Sequence, residues 1–339
     1  VKKVLIPVTA LVAALALAGL AAGCGEKKES TAAPRAETLN LVLDYFPNAD
    51  HVGIYAALAD GQFRSVGLDV KVRTPSDPSA PLKLLAAGQA DLAISYEPEV
   101  LLARDRGLRV VSVAALVQKP LTSIVADGSA RIRGVRDLRG KKIGTAGIPY
   151  QSAYLKTILS HANVNPNSVD EINVGFNLVP AMLARRVDAT LGAFWNYEGV
   201  EMRQRRRHPT VIPVDRVGVP TYNELVIVAR KQDLAERGGR VRRFLRALTA
   251  GYAAAKANPV RAVDQLVRAN PGLQRPLQLA SVRATLPVFF PADEKHPFGW
   301  QDARAWESYG RWMHDNQLVK SPPKAGRALT NEFLPGQGV

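Results

Sequence analysis

The stretch over residues 39–70, LNLVLDYFPNADHVGIYAALADGQFRSVGLDV, constrains the fold more than any other. Leu39, Leu41 and Leu43 alternate as residues of a strand do, and the alternation stops at Pro47-Asn48. Over 51–63 the apolar residues Val52, Ile54, Tyr55, Leu58 and Ala59 fall on one helix face. A glycine-bearing turn follows, and Leu68, Val70 and Val72 alternate again. Strand, polar loop, helix, strand is a βαβ unit. In an open α/β sheet, ligands sit at the carboxyl ends of the strands. The loop over 44–51 lies at such an end, and its eight residues bring together aromatic rings, carboxylates, an amide and an imidazole.

The alternation recurs downstream. The sequence predicts a helix over 80–88, a strand over 90–95, a helix over 98–106 and a buried strand over 110–117. A second α/β unit over about 121–215 follows, with strands at 121–126, 142–145, 171–176 and 189–193 and helices reaching 161 and 186. A strand over 222–229 and helices over 238–257, 259–269 and 301–316 complete the chain. Repeated β-α-β alternation predicts an α/β fold with mostly parallel sheets flanked by helices.

The first residues read differently. Lys2 and Lys3 precede an apolar run over 4–20, and Ala21, Ala22 and Gly23 stand before Cys24. That is the pattern of a secretory signal peptide over 1–23. Small residues ahead of a cysteine resemble a bacterial lipobox, with Ala21 where leucine is usual, and imply lipidation of Cys24 and a membrane anchor. Residues 24–38 are polar and read as a flexible tether. Cys24 is the sole cysteine, so no disulfide can form within one chain.

The net charge of +15 raises nucleic acid as a partner. The basic residues are scattered, however, with one local run, RQRRR, at 203–207. No zinc-ligand spacing or RNA-binding phrase accompanies them, and a secretory leader removes access to nucleic acid. Catalytic signatures are missing as well: there is no nucleophile elbow, no histidine pair at metal spacing, no GxGxxG and no Walker loop. Neither a metal nor a cofactor is expected.

Five phrases carry a family resemblance: LDYFPNADHVGIYAALADGQFRSVGLDV, GQADLAISYEPEVLLARDRG, DLRGKKIGTAGIPYQSAYL, GAFWNYEGVE and GVPTYNELVIVA. They resemble type II periplasmic binding proteins that capture thiamin pyrimidine precursors. More distantly they resemble the fungal thiamin pyrimidine synthases and the sulfonate-binding proteins. The resemblance implies two lobes that close on a ligand by hinge motion: residues 39–118 and 219–339 in the first, residues 119–218 in the second. It implies a monomer that hands a small molecule to a membrane permease driven by an ATPase, outside the cytoplasm.

The synthases hold pyridoxal phosphate on a lysine and spend a histidine four residues later. Ser95 and Glu99 stand at those positions here, and Tyr222-Asn223-Glu224-Leu225 replaces a cysteine-rich run. A binder of an aminopyrimidine needs less: aromatic faces for the flat ring and acceptors for its amine. The matched strand-end loops offer Asp44, Tyr45, Asn48 and His51; Ser95 and Tyr96; Tyr150 and Gln151; Trp195, Tyr197 and Glu198; and Tyr222 and Glu224. Two other readings stand beside this one: a binder of alkylsulfonate, nitrate or a similar small anion, and a pyrimidine synthase.

Overall fold

The computed structural model describes residue 1, residues 36–293 and residues 295–337. The expected leader beyond its first residue, Cys24, and the tether as far as residue 35 lie outside the described residues. Among the described residues, ten strands form two five-stranded sheets. β1 (Glu37–Val42), β2 (Leu68–Arg73), β3 (Leu92–Ser95) and β4 (Val110–Val117) belong to the first. β5 (Thr122–Ala126), β6 (Lys142–Thr145), β7 (Asp170–Asn173), β8 (Ala189–Phe194) and β9 (Thr210–Pro213) make the second. β10 (Leu225–Arg230) then returns to the first sheet between β3 and β4. The strand orders are β2-β1-β3-β10-β4 and β7-β6-β8-β5-β9, so each sheet anchors one lobe and the chain crosses between them twice.

Crossover helices account for the parallel pairs, such as Leu41 opposite Leu92 and Ile143 opposite Ala189. Strands that arrive from the other lobe need no such crossover. Accordingly β10 runs antiparallel to β3 and β4, and β5 antiparallel to β8 and β9, which makes both sheets mixed. All residues of β3, β4 and β5 are buried. Continuous apolar runs such as VVSVAALV suit strands covered on both faces.

The helices are α1 (Val52–Ala59), α2 (Gln62–Ser65), α3 (Pro81–Ala86), α4 (Glu97–Asp105), α5 (Pro149–His161), α6 (Leu178–Leu183), α7 (Glu198–Gln204), α8 (Lys231–Ala257), α9 (Pro259–Ala269), α10 (Arg275–Phe289), α11 (Ala303–Asp315) and α12 (Ala325–Ala328). Two glycines let α1 and α8 touch backbone to backbone. A Cβ on Gly251 would lie 2.1 Å from the Gly53 carbonyl oxygen, and one on Gly53 would lie 2.3 Å from the Tyr252 ring. Tyr252 in turn donates its hydroxyl to the Asp50 carbonyl at 2.7 Å. The long helix α8 thereby fixes the loop over 44–51 from behind.

Several elements differ from expectation: the sequence reading lacks β9 and α7, as well as α10 and the start of α8. α10 is absent from the sequence reading because Pro276 and Pro287 interrupt its pattern. Pro276 sits in the first turn, where its missing N–H costs nothing, and Leu277, Val282 and Phe289 are buried along one side. α8 starts at Lys231 rather than 238 because it breaks at Arg237, φ −135°, before Gly238-Gly239, and then resumes.

Candidate ligand-binding cleft

The cleft begins where β1 ends. Asn48 caps the single 3-10 turn over Ala49–His51: its Oδ1 accepts from the Asp50 N–H at 2.8 Å. The Asn48 N–H donates to His51 Nδ1 at 3.2 Å. A backbone donor at Nδ1 assigns the imidazole proton to Nε2, which faces Asp44 Oδ1 at 2.9 Å. Tyr96, from the end of β3, donates its hydroxyl to Asp44 Oδ2 at 2.9 Å. Burial first, and then the neighbouring Asp44 charge, push the Tyr96 phenol well above its usual range, so it remains a donor. Asp44 is thus a buried carboxylate aimed by two side chains.

The opposite wall comes from the second lobe. Ala146 and Ile148 follow β6, and Tyr150 and Gln151 open α5. Gln151 accepts from the Ala146 N–H at 2.8 Å. Its amide rests against Gly192, which adopts φ +103°; a Cβ there would lie 2.1 Å from Gln151 Nε2. Tyr150 is fully buried, and its hydroxyl has no partner among the described residues. At the end of β8 the Phe194 N–H donates to Glu198 Oε2 at 2.7 Å. Burial nonetheless raises the Glu198 carboxyl to about 7, and Glu201 adds to the rise.

The lobes meet around this space. Tyr45 donates its hydroxyl to the Phe176 carbonyl at 3.0 Å, and the two rings stand edge to face with centroids 4.6 Å apart. Phe46 packs within 6.1 Å of both Phe176 and Tyr197. Deeper in, Asn196 donates to Asp50 Oδ1 and to the Thr285 hydroxyl, each at 2.7 Å, and Gln278 donates to the Tyr197 hydroxyl at 3.0 Å. α10 supplies both Gln278 and Thr285, so the unforeseen helix serves to tie the lobes.

A cavity lies between these two walls. Asp44, Tyr45, Asn48, Tyr96, Tyr150, Gln151, Tyr197 and Glu198 line it. The other five expected residues do not. His51 lies behind Asp44. Ser95 is buried with an unpartnered hydroxyl. Trp195 donates Nε1 to the Pro120 carbonyl at 3.0 Å. Tyr222 donates to Glu224 at 3.1 Å, and Glu224 is occupied with the crossing between lobes. Ala146, Ile148, Leu178, Gly192 and Phe194 also line the cavity. They carry no polar signal, and apart from Gly192, which lies inside β8, only their places at strand and helix ends could have marked them.

Among the described residues, no Lys, Arg or His lines the cavity, whereas one carboxyl enters from each lobe. Amide donors at this end of the sheets, which suit anions elsewhere, are taken by the protein's own oxygens: Asn48 on Asp50, Gln151 on Ala146 and Glu198 on Phe194.

Two mixed α/β lobes around such a cleft define the fold of the type II periplasmic binding proteins. In line with this, the alkanesulfonate-binding protein SsuA of Xanthomonas axonopodis pv. citri superposes with a TM-score of 0.68 at 16% identity, covering 88% of this chain and 99% of that one. The family model NMT1/THI5 like matches residues 48–262, and the chain belongs to that family. It is 33% identical over 298 residues to the formylaminopyrimidine-binding protein of Halalkalibacterium halodurans, covering 87% of this chain and 90% of that protein. It is 24% identical over 300 residues to the 4-amino-5-hydroxymethyl-2-methylpyrimidine phosphate synthase of Legionella pneumophila, covering 88% and 92%.

Proposed function

We propose that the protein is an extracytoplasmic solute-binding lipoprotein that captures a thiamin pyrimidine precursor of the formylaminopyrimidine or hydroxymethylpyrimidine type and delivers it to an ABC importer. The observation that carries this reading is the pairing of Asp44 and Glu198 across a cavity lined by tyrosines and by no cationic side chain. An aminopyrimidine offers N–H donors beside ring nitrogens. A carboxyl near its midpoint at neutral pH, as Glu198 is, can accept from the amine through one oxygen and donate to a ring nitrogen through the other. Tyr45, Tyr96, Tyr150 and Tyr197 supply faces and edges for the ring. The relative from Halalkalibacterium halodurans supports the choice of ligand.

A sulfonate or nitrate would meet Asp44 without a compensating cation, at a cost of roughly 1 kcal/mol or more at intermediate dielectric. Against synthase chemistry, no lysine among the described residues lines the cavity, and none stands between Lys83 and Lys119 in the sequence. Thermal shift tests the assignment. Hydroxymethylpyrimidine and formylaminopyrimidine should raise the melting temperature where taurine and nitrate do not. Pyridoxal phosphate with iron should give neither aldimine absorbance nor a pyrimidine product; either one would replace the binding protein with an enzyme. Anchoring is tested separately, since Cys24→Ala should move the protein from the membrane to the soluble fraction.

A further inference from the structure

A second concave surface lies at the far end of the second lobe. The cleft opens beside Phe194, the last residue of β8, whereas this groove lies where Ala126 of β5 pairs with Ala189, the first residue of β8. It is lined by Arg131, Arg133, Arg185, Arg206, Arg207 and His208, with Asp127 as the one acid. Asp127 is already bound, accepting from Arg207 Nε at 2.6 Å and from the Ser129 hydroxyl at 2.6 Å. Among the described residues, Arg131, Arg133, Arg185 and Arg206 form no ion pair; all four side chains belong to exposed residues.

The backbone holds these cations deliberately close. A Cβ on Gly128 would lie 2.7 Å from the His208 carbonyl oxygen, so the turn after β5 lies directly on the segment entering β9. Arg131, Arg185, Arg206 and His208 adopt left-handed backbone at φ 56°, 55°, 57° and 47°, a conformation that glycine takes with least strain. Arg185 and Arg206 do so just past the ends of α6 and α7, where glycine is the usual residue. Cations therefore occupy positions whose geometry favours glycine, and they gather on one groove despite mutual repulsion.

We infer that this groove binds a multiply charged, phosphate-bearing anion, either a free oligophosphate or the phosphodiester headgroups of an anionic lipid surface. Guanidinium forks match phosphate oxygens two at a time, and several unpaired forks around one concavity can engage more than one phosphate. The cleft at the other end of the lobe, with its carboxyls, takes no part.

The full chain is titrated with sodium tripolyphosphate by calorimetry and, in a second arm, mixed with phosphatidylglycerol–phosphatidylcholine vesicles in flotation. The wild type is compared with the triple variant Arg131→Gln, Arg133→Gln, Arg206→Gln. A control, Arg246→Gln, Arg268→Gln, Arg283→Gln, removes the same charge from exposed sites on α8, α9 and α10. The groove variant is expected to lose roughly tenfold or more in affinity for tripolyphosphate or vesicles while the control changes less than about twofold. Loss in the tripolyphosphate arm alone identifies a free anion, loss in the vesicle arm alone identifies lipid, and loss in both supports the shared chemistry. If the triple variant melts early, Arg131→Gln and Arg133→Gln alone carry the comparison, each expected to weaken binding severalfold. Absence of binding to either probe, or equal loss in the control, overturns the inference, the latter because it would show diffuse charge rather than a site.

Discussion

Glu224 grips Thr122 twice: its Oε2 accepts from the Thr122 N–H at 2.8 Å and its Oε1 from the Thr122 hydroxyl at 2.9 Å. Oε2 also takes the Leu121 N–H at 2.6 Å and the Tyr222 hydroxyl at 3.1 Å. One carboxyl on the returning segment thus collects the donors of the outgoing one, and the two crossings between lobes become a single joint. Glu224→Gln turns an amide N–H toward those donors. It should cost about 1–3 kcal/mol of stability, seen as a lower urea midpoint, with the cavity lining unchanged. An unaltered midpoint would show that the joint does not depend on this residue.

His51 acts one step behind the cavity. Removing it leaves Asp44 Oδ1 buried without its donor. His51→Ala is expected to lose about 1–3 kcal/mol in denaturant unfolding and to weaken ligand binding, although the imidazole touches no ligand. Binding at wild-type strength in that variant would mean that Asp44 needs no positioning.

Tyr45 is the latch. Tyr45→Phe keeps the edge-to-face ring contact with Phe176 and deletes only the hydrogen bond to its carbonyl. A neutral hydrogen bond of about 1 kcal/mol corresponds to roughly fivefold faster ligand release. Stopped-flow dissociation measures it; an unchanged off-rate would place the latch elsewhere.

Much of this was legible in the sequence, and the rest fails for physical reasons. The βαβ pattern over 39–70 located the loop that builds the cleft, although α1 is buried continuously over residues 52–57 rather than on one face, and Leu58 and Ala59 of the expected face are not buried. The strand-end loops yielded the lining side chains Asp44, Tyr45, Asn48, Tyr96, Tyr150, Gln151, Tyr197 and Glu198. Direction was not legible. Trp195 and Glu198 stand in one phrase, yet the indole turns to Pro120 and the carboxyl to the cavity. Glu224 has the residue type of a ligand acceptor but is consumed by the crossing, a long-range contact no local pattern encodes. α10 was hidden by its prolines, and with it the partners of Asn196 and Tyr197.

Stability should fall as pH rises. Burial raises Asp50, Glu99, Glu198 and Glu224 to about 7 and Glu97 to about 8. Between the ordinary carboxyl range and those values the folded protein holds more protons than the unfolded chain. The slope of unfolding free energy with pH is then negative, up to about 1.4 kcal/mol per unit for each group. Their contribution is fully present below about pH 4, declines through neutrality and is lost above about pH 8. Melting temperatures across pH 5 to 9 should therefore decrease; a rise from pH 5 to 8 would contradict the dominance of burial over hydrogen bonding at these acids.

Titration calorimetry at neutral pH, run in turn with formylaminopyrimidine, hydroxymethylpyrimidine, taurine and nitrate, tests the central claim most directly. The acids on both walls and the absence of a lining cation predict that a pyrimidine binds at least roughly tenfold more tightly than either anion, about 1.4 kcal/mol. Glu198→Gln should narrow that gap, while Trp195→Phe should leave it. Tight taurine binding without pyrimidine heat would contradict the account and make the protein an anion binder.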